Sequence, residues 1–504
     1  MSPDVLAGFF QAVSPTSLLA TACGTVIGLA VGMLPGMTIS AGIIVVLPLT
    51  FVLDPVTSIA LLLGLYAAGM AGGSFSAILL NIPGTPSASA TAIDGHPMAI
   101  RGEAGRAIGT AIVASFLGGL FSSVCLFFIA PLIAEVALKF RAADLFSLVF
   151  FGLTIICGFA VESVVKGLLS GALGLILVTV GQDPVMGTPR FTFGSVNLLS
   201  GIQFLTALIG LFAIPQIAEA LSTEVRAFQR ERGVGRIGRL LPGREDLKRM
   251  RLPVPMGALI GTFIGSLPGA GGPIAAFISY DYTKKLSKDP DRFGTGCPEG
   301  IAAPEAANNA VCGGALIPMM TLGIPGDPVT AILIGALLVH GLAPGPLLFM
   351  EQGDFAYSVI ISFFFANIFT LIVALAGGRF LVKIIDLPKR ALMPTIAILC
   401  VIGSYALRNS FFDTFVMLGF GVLGIVMRRL KIPVVPLLLA LVLGRQLEEH
   451  LRVALTASKG DVSVFITSPI SLGFLILSAV SILCPFVSEA RRRRASALSA
   501  AGAG

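Results

Sequence analysis

Gly32-Met-Leu-Pro-Gly36 and Ile82-Pro-Gly-Thr-Pro86 recur in the second half of the chain as Gly265-Ser-Leu-Pro-Gly269 and Ile324-Pro-Gly-Asp-Pro328. All four lie in apolar surroundings, so each is a Pro-Gly break inside what is otherwise a membrane helix. Proline removes a backbone donor and clashes with the preceding turn, while glycine opens backbone conformations closed to other residues. In hydrocarbon an unpaired backbone group costs several kcal/mol, so such breaks survive only where they line a cavity or are buried in protein. Paired breaks at matching positions of two halves point to a transporter binding site.

The surroundings of the breaks repeat as well. Pro35 to Pro268 is an offset of 233, and Pro83 to Pro325 one of 242. The polar insertion Lys284-Lys-Leu-Ser-Lys-Asp-Pro-Asp-Arg292 absorbs the difference. Gly72-Gly73 precedes the second break as Gly313-Gly314 precedes the fourth, and His96 and His340 follow them. The order of these matches implies an internal duplication.

Composition agrees. Of 504 residues, 55% are hydrophobic and only 12% charged, with mean hydropathy +0.93, against roughly 25% charged in a soluble domain. The expected fold is an all-α polytopic membrane protein with two internal repeats and broken or re-entrant helices at the Pro-Gly motifs. At ~20 residues per crossing, roughly 10–12 transmembrane helices are expected. The runs 39–53 and 432–444 are too short to cross alone and read as half-helices. Residues 1–221 form the first repeat, 222–252 a basic linker, 253–487 the second repeat with its following helices, and 488–504 a tail. The net charge of +7 is concentrated in that linker (Arg226 to Arg251) and in Arg491 to Arg494. Positive-inside topology makes both cytoplasmic, and nucleic-acid binding is not expected.

Helix N-terminal chemistry follows the breaks: Thr38 and Ser40 after Pro35-Gly36, Thr85, Ser87 and Ser89 after Pro83-Gly84. Half-helix N-termini facing one cavity offer free N–H groups and positive dipole ends, which suit an anion. The expected substrate site is therefore Pro35, Gly36, Thr38, Pro83, Gly84, Thr85, Ser87, Pro268, Gly269, Pro325 and Gly326. Polar groups at membrane depth are functional by default. Asn81, Glu305, Asn308, Asn309 and Asp327 make a hard-oxygen set suited to Na⁺ or to carrying a proton. Two readings stay open for His96, Arg101 and Arg106: the cavity mouth, or interfacial anchoring. Asp54, Asp183, Asp386 and Asp413 read as solvated capping groups.

The chain has no His-Glu-x-x-His, no Walker A lysine, no Gly-x-Ser-x-Gly elbow and no Cys-x-x-Cys pair. No cofactor is expected beyond a coupling ion, and the chain is not read as an enzyme. An intramembrane protease or lipid-modifying enzyme would need a catalytic pair at membrane depth, and a passive channel or assembly scaffold would need no ion gradient.

Gly28-Leu-Ala-Val-Gly-Met-Leu-Pro-Gly36, Asn81-Ile-Pro-Gly-Thr-Pro86 with Asp94-Gly-His-Pro97, and Pro304-Glu-Ala-Ala-Asn-Asn309 with Gly323-Ile-Pro-Gly-Asp-Pro328 resemble the large membrane subunit of tripartite tricarboxylate transporters. The resemblance runs over nearly the whole chain. It implies a multi-pass secondary transporter of the bacterial inner membrane. Its partners would be a small four-span membrane subunit and a periplasmic solute-binding protein. Citrate or a related carboxylate would be the substrate, and a cation gradient, Na⁺ in the best-known cases, would drive uptake.

Overall fold

The computed structural model describes residues 3–35, 37–158, 163–184, 186–222, 238, 240–269, 271–383 and 389–483. Gly36, linker residues 223–237 and 239, Asp386 and the tail with its arginines lie outside them. The architecture is all-α, with one short antiparallel ribbon among the described residues, Gly181–Gln182 against Pro189–Arg190.

In chain order the first repeat comprises α1 (Pro3–Ala12), α2 (Pro15–Met33), α3 (Ile39–Thr50), α4 (Pro55–Leu80), α5 (Ser89–Ile100) and α6 (Ala104–Ala137). Next come α7 (Ala142–Gly158), α8 (Val164–Val178), α9 (Phe204–Ser222) and α10 (Arg244–Arg249). The second repeat follows as α11 (Pro253–Gly265), α12 (Gly271–Leu286), α13 (Pro298–Leu322), α14 (Pro328–Val339), α15 (Pro346–Glu351) and α16 (Gly353–Leu381). After it come α17 (Lys389–Ala406), α18 (Phe411–Arg429) and α19 (Val434–Ala457). Among the described residues, α2, α4, α6, α16 and α18 are long and apolar enough to cross a membrane, and several shorter apolar helices accompany them. The chain divides into two compact units, Met1–Ala137 with Phe212–Ser410, and Leu138–Leu211 with Phe411–Gly504. All four breaks fall in the first.

The two repeats are built on the same contacts. Gly24, Gly28 and Gly32 form a stripe at helical spacing on α2, and Gly257, Gly261 and Gly265 form one on α11. A Cβ at Gly28 would lie 2.4 Å from the Leu65 carbonyl oxygen, and one at Gly261 2.2 Å from that of Ala307. The offsets are again 233 on the glycine side and 242 on the partner side. Small residues allow such backbone approach in membranes, where helix association relies on close packing. Alanine at Gly28 or at Gly261 should therefore destabilise the protein to a similar extent, by about 1–3 kcal/mol. Thermal unfolding of the two variants in detergent measures this, and a large loss at one site alone would break the equivalence.

Contacts between the repeats are reciprocal. Asn309 Nδ2 donates to the carbonyl of Ala67, 3.2 Å away, although residues 67 and 309 hold equivalent positions. The exchange is reciprocal, since Asn308 bonds Met70 and Tyr66 meets Cys312, equivalent pairs at the offset of 242, as a two-fold axis between the repeats requires. Around that axis α3 packs on α14, and its counterpart α12 packs on the turn Pro86–Ala88, the counterpart of the start of α14. Each repeat thus reaches across to the other's break.

Helices α11 and α12 have 13 and 16 residues, about 20 and 24 Å at 1.5 Å per residue, short of a ~30 Å core. Their outer ends, Pro253 and Leu286, line one cavity. The pair is a re-entrant hairpin with the Ser266–Gly269 break at its tip. The apolar run 432–444, expected as a half-helix, instead continues to Ala457. Its polar second half is held by ion pairs of Arg452 with Glu448 (2.7 Å) and Asp183 (2.8 Å). Asp183 is accordingly buried in a charge network, and Asp413 is buried too, so neither is the solvated cap expected. Asp54 does cap α4, accepting from the Thr57 amide.

Candidate functional site

The breaks touch one another within each repeat. A Cβ at Gly84 would lie 2.0 Å from the Gly32 carbonyl oxygen, and one at Gly326 2.8 Å from that of Gly265. The Gly269 amide donates to the Gly326 carbonyl, 2.8 Å away. Pro35, Pro268, Pro325 and Gly326 are buried, with Pro83 and Gly269 partly so.

Each break turns into a new helix, and the cap residues differ. Thr38 caps α3, accepting from the Ala41 amide (3.2 Å) and from Gln216 Nε2 (2.8 Å). Asp327 caps α14, with Pro328 at the first position and Thr330 completing a capping box. Its Oδ1 accepts from the Thr330 amide (2.7 Å) and hydroxyl (2.8 Å), and its Oδ2 from the Tyr66 hydroxyl (2.5 Å). Thr85 holds the position equivalent to Asp327, at an offset of 242, yet its side chain caps nothing. Buried Thr85 Oγ1 has no hydrogen-bond partner. The carboxylate of Asp327 offsets the positive end of its own helix, whereas no acid caps the turn after Thr85, whose Ala88 and Ser89 amides bond back to Thr85 and Pro86.

Two further oxygens are stranded on α13. Asn308 Nδ2 donates to the Met70 carbonyl (3.1 Å), and Asn309 Nδ2 to that of Ala67. Those bonds fix both amide orientations, because a flip would set oxygen against oxygen. Asn308 Oδ1 and Asn309 Oδ1 are left buried with no partner, each at a penalty of about 1–3 kcal/mol. The two repeats converge here. A Cβ on Gly272 of α12 would meet Ser87 Oγ at 2.9 Å, Asn308 Oδ1 at 3.1 Å and the Met70 methyl at 3.2 Å. Groups from the second break, α4, α12 and α13 thus converge closely around Gly272.

The other residues singled out from the sequence lie elsewhere. Glu305 is fully buried within α13 and accepts from Thr91 Oγ1 (2.5 Å) and Ser115 Oγ (2.8 Å). Asn81 is exposed, and its left-handed backbone (φ 55°) closes α4 as Gly323 (φ 68°) closes α13. Gly36 is outside the described residues. The His96–Arg106 segment is taken up by protein contacts. His96 Nδ1 pairs with the Ile78 carbonyl, 3.0 Å away. Arg101 binds the carbonyls of Thr295 and Gly296. Beside them, Asp94 accepts from the amides of Gly294, Gly296 and Cys297 and from the Tyr280 hydroxyl.

Arg106 forks onto Asp246 of α10 at 2.5 and 2.9 Å and reaches Glu103 at 2.9 Å. The guanidinium holds the Asp246 carboxyl below its usual range, against the upward push of burial. A depressed carboxylate contributes stability that is complete above its unfolded pKa of about 3.9 and fades as pH falls through the folded value. Amide exchange of residues 244–250 should therefore be insensitive to this pair between about pH 5 and 8 and accelerate below about pH 4. Asp246→Asn should show the fast exchange at neutral pH.

Tyr66, Gln216, Thr91, Ser115 and Met70 were not singled out from the sequence. The repeat did contain a signal for Tyr66, which is the position equivalent to Asn308.

The family model described as "Tripartite tricarboxylate transporter TctA family" matches residues 18–439. The chain is similar, at 40% identity over 487 residues, to an uncharacterized 52.8 kDa protein in the TAR-I ttuC' 3'region of Agrobacterium vitis; the alignment covers 97% of this chain and 96% of the relative. An uncharacterized protein in the TAR-II ttuC' 3'region of the same organism is 41% identical over 234 residues, covering 46% of this chain and 97% of the relative. No solved structure matches.

Proposed function

Given that the chain belongs to the tripartite tricarboxylate transporter TctA family, we propose that it imports a citrate-like carboxylate as the large permease subunit, driven by a cation gradient. A small four-span membrane subunit would complete the membrane part, and a periplasmic solute-binding protein would deliver the substrate to it in the bacterial inner membrane. One observation carries this reading: Thr85 Oγ1, Asn308 Oδ1 and Asn309 Oδ1 are buried and unpartnered where the two repeats meet.

The donors and acceptors sort by chemistry. The hydroxyls of Thr85 and Ser87 can donate to a carboxylate. The stranded amide oxygens of Asn308 and Asn309 can only accept, which suits a hard cation such as Na⁺. A cation between those oxygens and the bound carboxylate would neutralise it and satisfy the asparagines together. Asp327 supports the site by fixing Tyr66 and the start of α14.

The test is uptake of labelled carboxylates into vesicles holding the complete transporter, with the binding protein supplied and the ion gradient varied. Accumulation should collapse when the Na⁺ gradient is removed, as neither a channel nor an enzyme would require. Asp327→Asn keeps one capping oxygen but removes the charge, so uptake should fall roughly tenfold for a contribution of about 1.4 kcal/mol, with insertion unchanged. Uptake equal to wild type at equal expression would remove Asp327 from the site.

A further inference from the structure

A second cavity, of about 290 Å³, lies where the α11–α12 hairpin leaves the apolar layer. Its charged lining is Arg249, Lys288, Asp289, Arg292 and Glu299, with Leu252 and Leu286 beside them. Arg249 is engaged by Glu245 at 2.9 Å and lies 3.7 Å from Glu299. Lys288 and Arg292 have no ion pair among the described residues. Glu299 Oε2 is buried without a hydrogen-bond partner. Leu252 and Leu286 are 58% and 60% exposed at the ends of two helices built for hydrocarbon.

We propose that this cavity binds the headgroup of a membrane phospholipid, a phosphate ester that also carries a hydrogen-bond donor. Lys288 and Arg292 take the phosphate, as charge-assisted donors do. Glu299 Oε2 accepts from the ammonium of an ethanolamine or the hydroxyl of a glycerol, which relieves its stranded state. Leu252 and Leu286 lie along the acyl chains, where the cationic stems flanking them also fit. Choline has no N–H or O–H to offer, so the site discriminates against it. The bound lipid braces the base of the hairpin whose tip is the third break. The site does not depend on the transport reading, since it is read by lipid binding alone.

The experiment is native mass spectrometry of the purified full chain with added phosphatidylethanolamine, phosphatidylglycerol, phosphatidylcholine or free glycerol phosphate. Ethanolamine and glycerol lipids should be retained at least about tenfold more than choline lipid, a difference of about 1.4 kcal/mol. The Lys288→Ala/Arg292→Ala double variant should lose that retention, and Glu299→Gln should narrow the preference over choline. Equal retention of choline lipid, or undiminished retention by the double variant, overturns the proposal. Binding of free glycerol phosphate as tight as that of the lipids overturns its assignment to the bilayer.

Discussion

Asn308→Leu should weaken cation-driven carboxylate uptake by roughly 10–100-fold, the range for losing one hydrogen-bond or ligand partner of a charged group. The leucine removes the stranded oxygen and places methyl groups where Ser87, Gly272 and Met70 converge. The bond to the Met70 carbonyl is also lost, but that bond alone is worth only about 1 kcal/mol. Two readouts separate the roles. If Asn308 holds the coupling cation, half-saturation for Na⁺ rises more than that for the carboxylate. Asn308→Asp, which keeps an oxygen in place, should then retain far more uptake than the leucine variant. A leucine variant with normal Na⁺ dependence would leave the asparagine as a helix-packing group and remove the main support for the cation site.

Gly84→Val should leave almost no folded protein. Its Cβ would lie 2.0 Å from the Gly32 carbonyl oxygen, 2.6 Å from Ser76 Oγ and 3.0 Å from the Gly73 Cα. Two of these are backbone atoms of helices already in contact, so relief requires α2 and α4 to separate. Overpacking typically costs about 1–3 kcal/mol, and a rigid backbone on two sides puts this site above that range. The counterpart Gly326→Val meets its nearest backbone at 2.7 Å and should be damaging but milder. Gly419→Ala, on α18 with open space around the added Cβ, serves as the neutral control. Yield of monodisperse protein and its unfolding temperature rank the three. Wild-type behaviour of Gly84→Val would show that the breaks need not touch.

Much of this organisation could be read from residue order alone. Apolar runs too long and too uncharged for a soluble core require helices in lipid, and Pro-Gly pairs inside them require interruption, so the all-α class and the broken helices followed. The duplication followed because contacts shared by two repeats leave the same residues at the same offsets. A chemically ambiguous residue was harder to place. Asn81 and Asn308 have the same side chain, yet one closes a helix with a left-handed backbone and the other points a bare oxygen into a buried space.

What the amino-acid order determined, then, was the kind of protein, the four interruptions and their pairing across two halves. The folded chain alone decided which caps are filled and which are empty. Asp327 is occupied by Tyr66 and Thr330, while its counterpart Thr85 keeps a buried hydroxyl with no partner. The reason is physical. Propensity and hydropathy act along the chain, over a few residues, and the two-fold arrangement preserves them in both halves. Hydrogen-bond satisfaction depends on what arrives from the other repeat, hundreds of residues away in sequence.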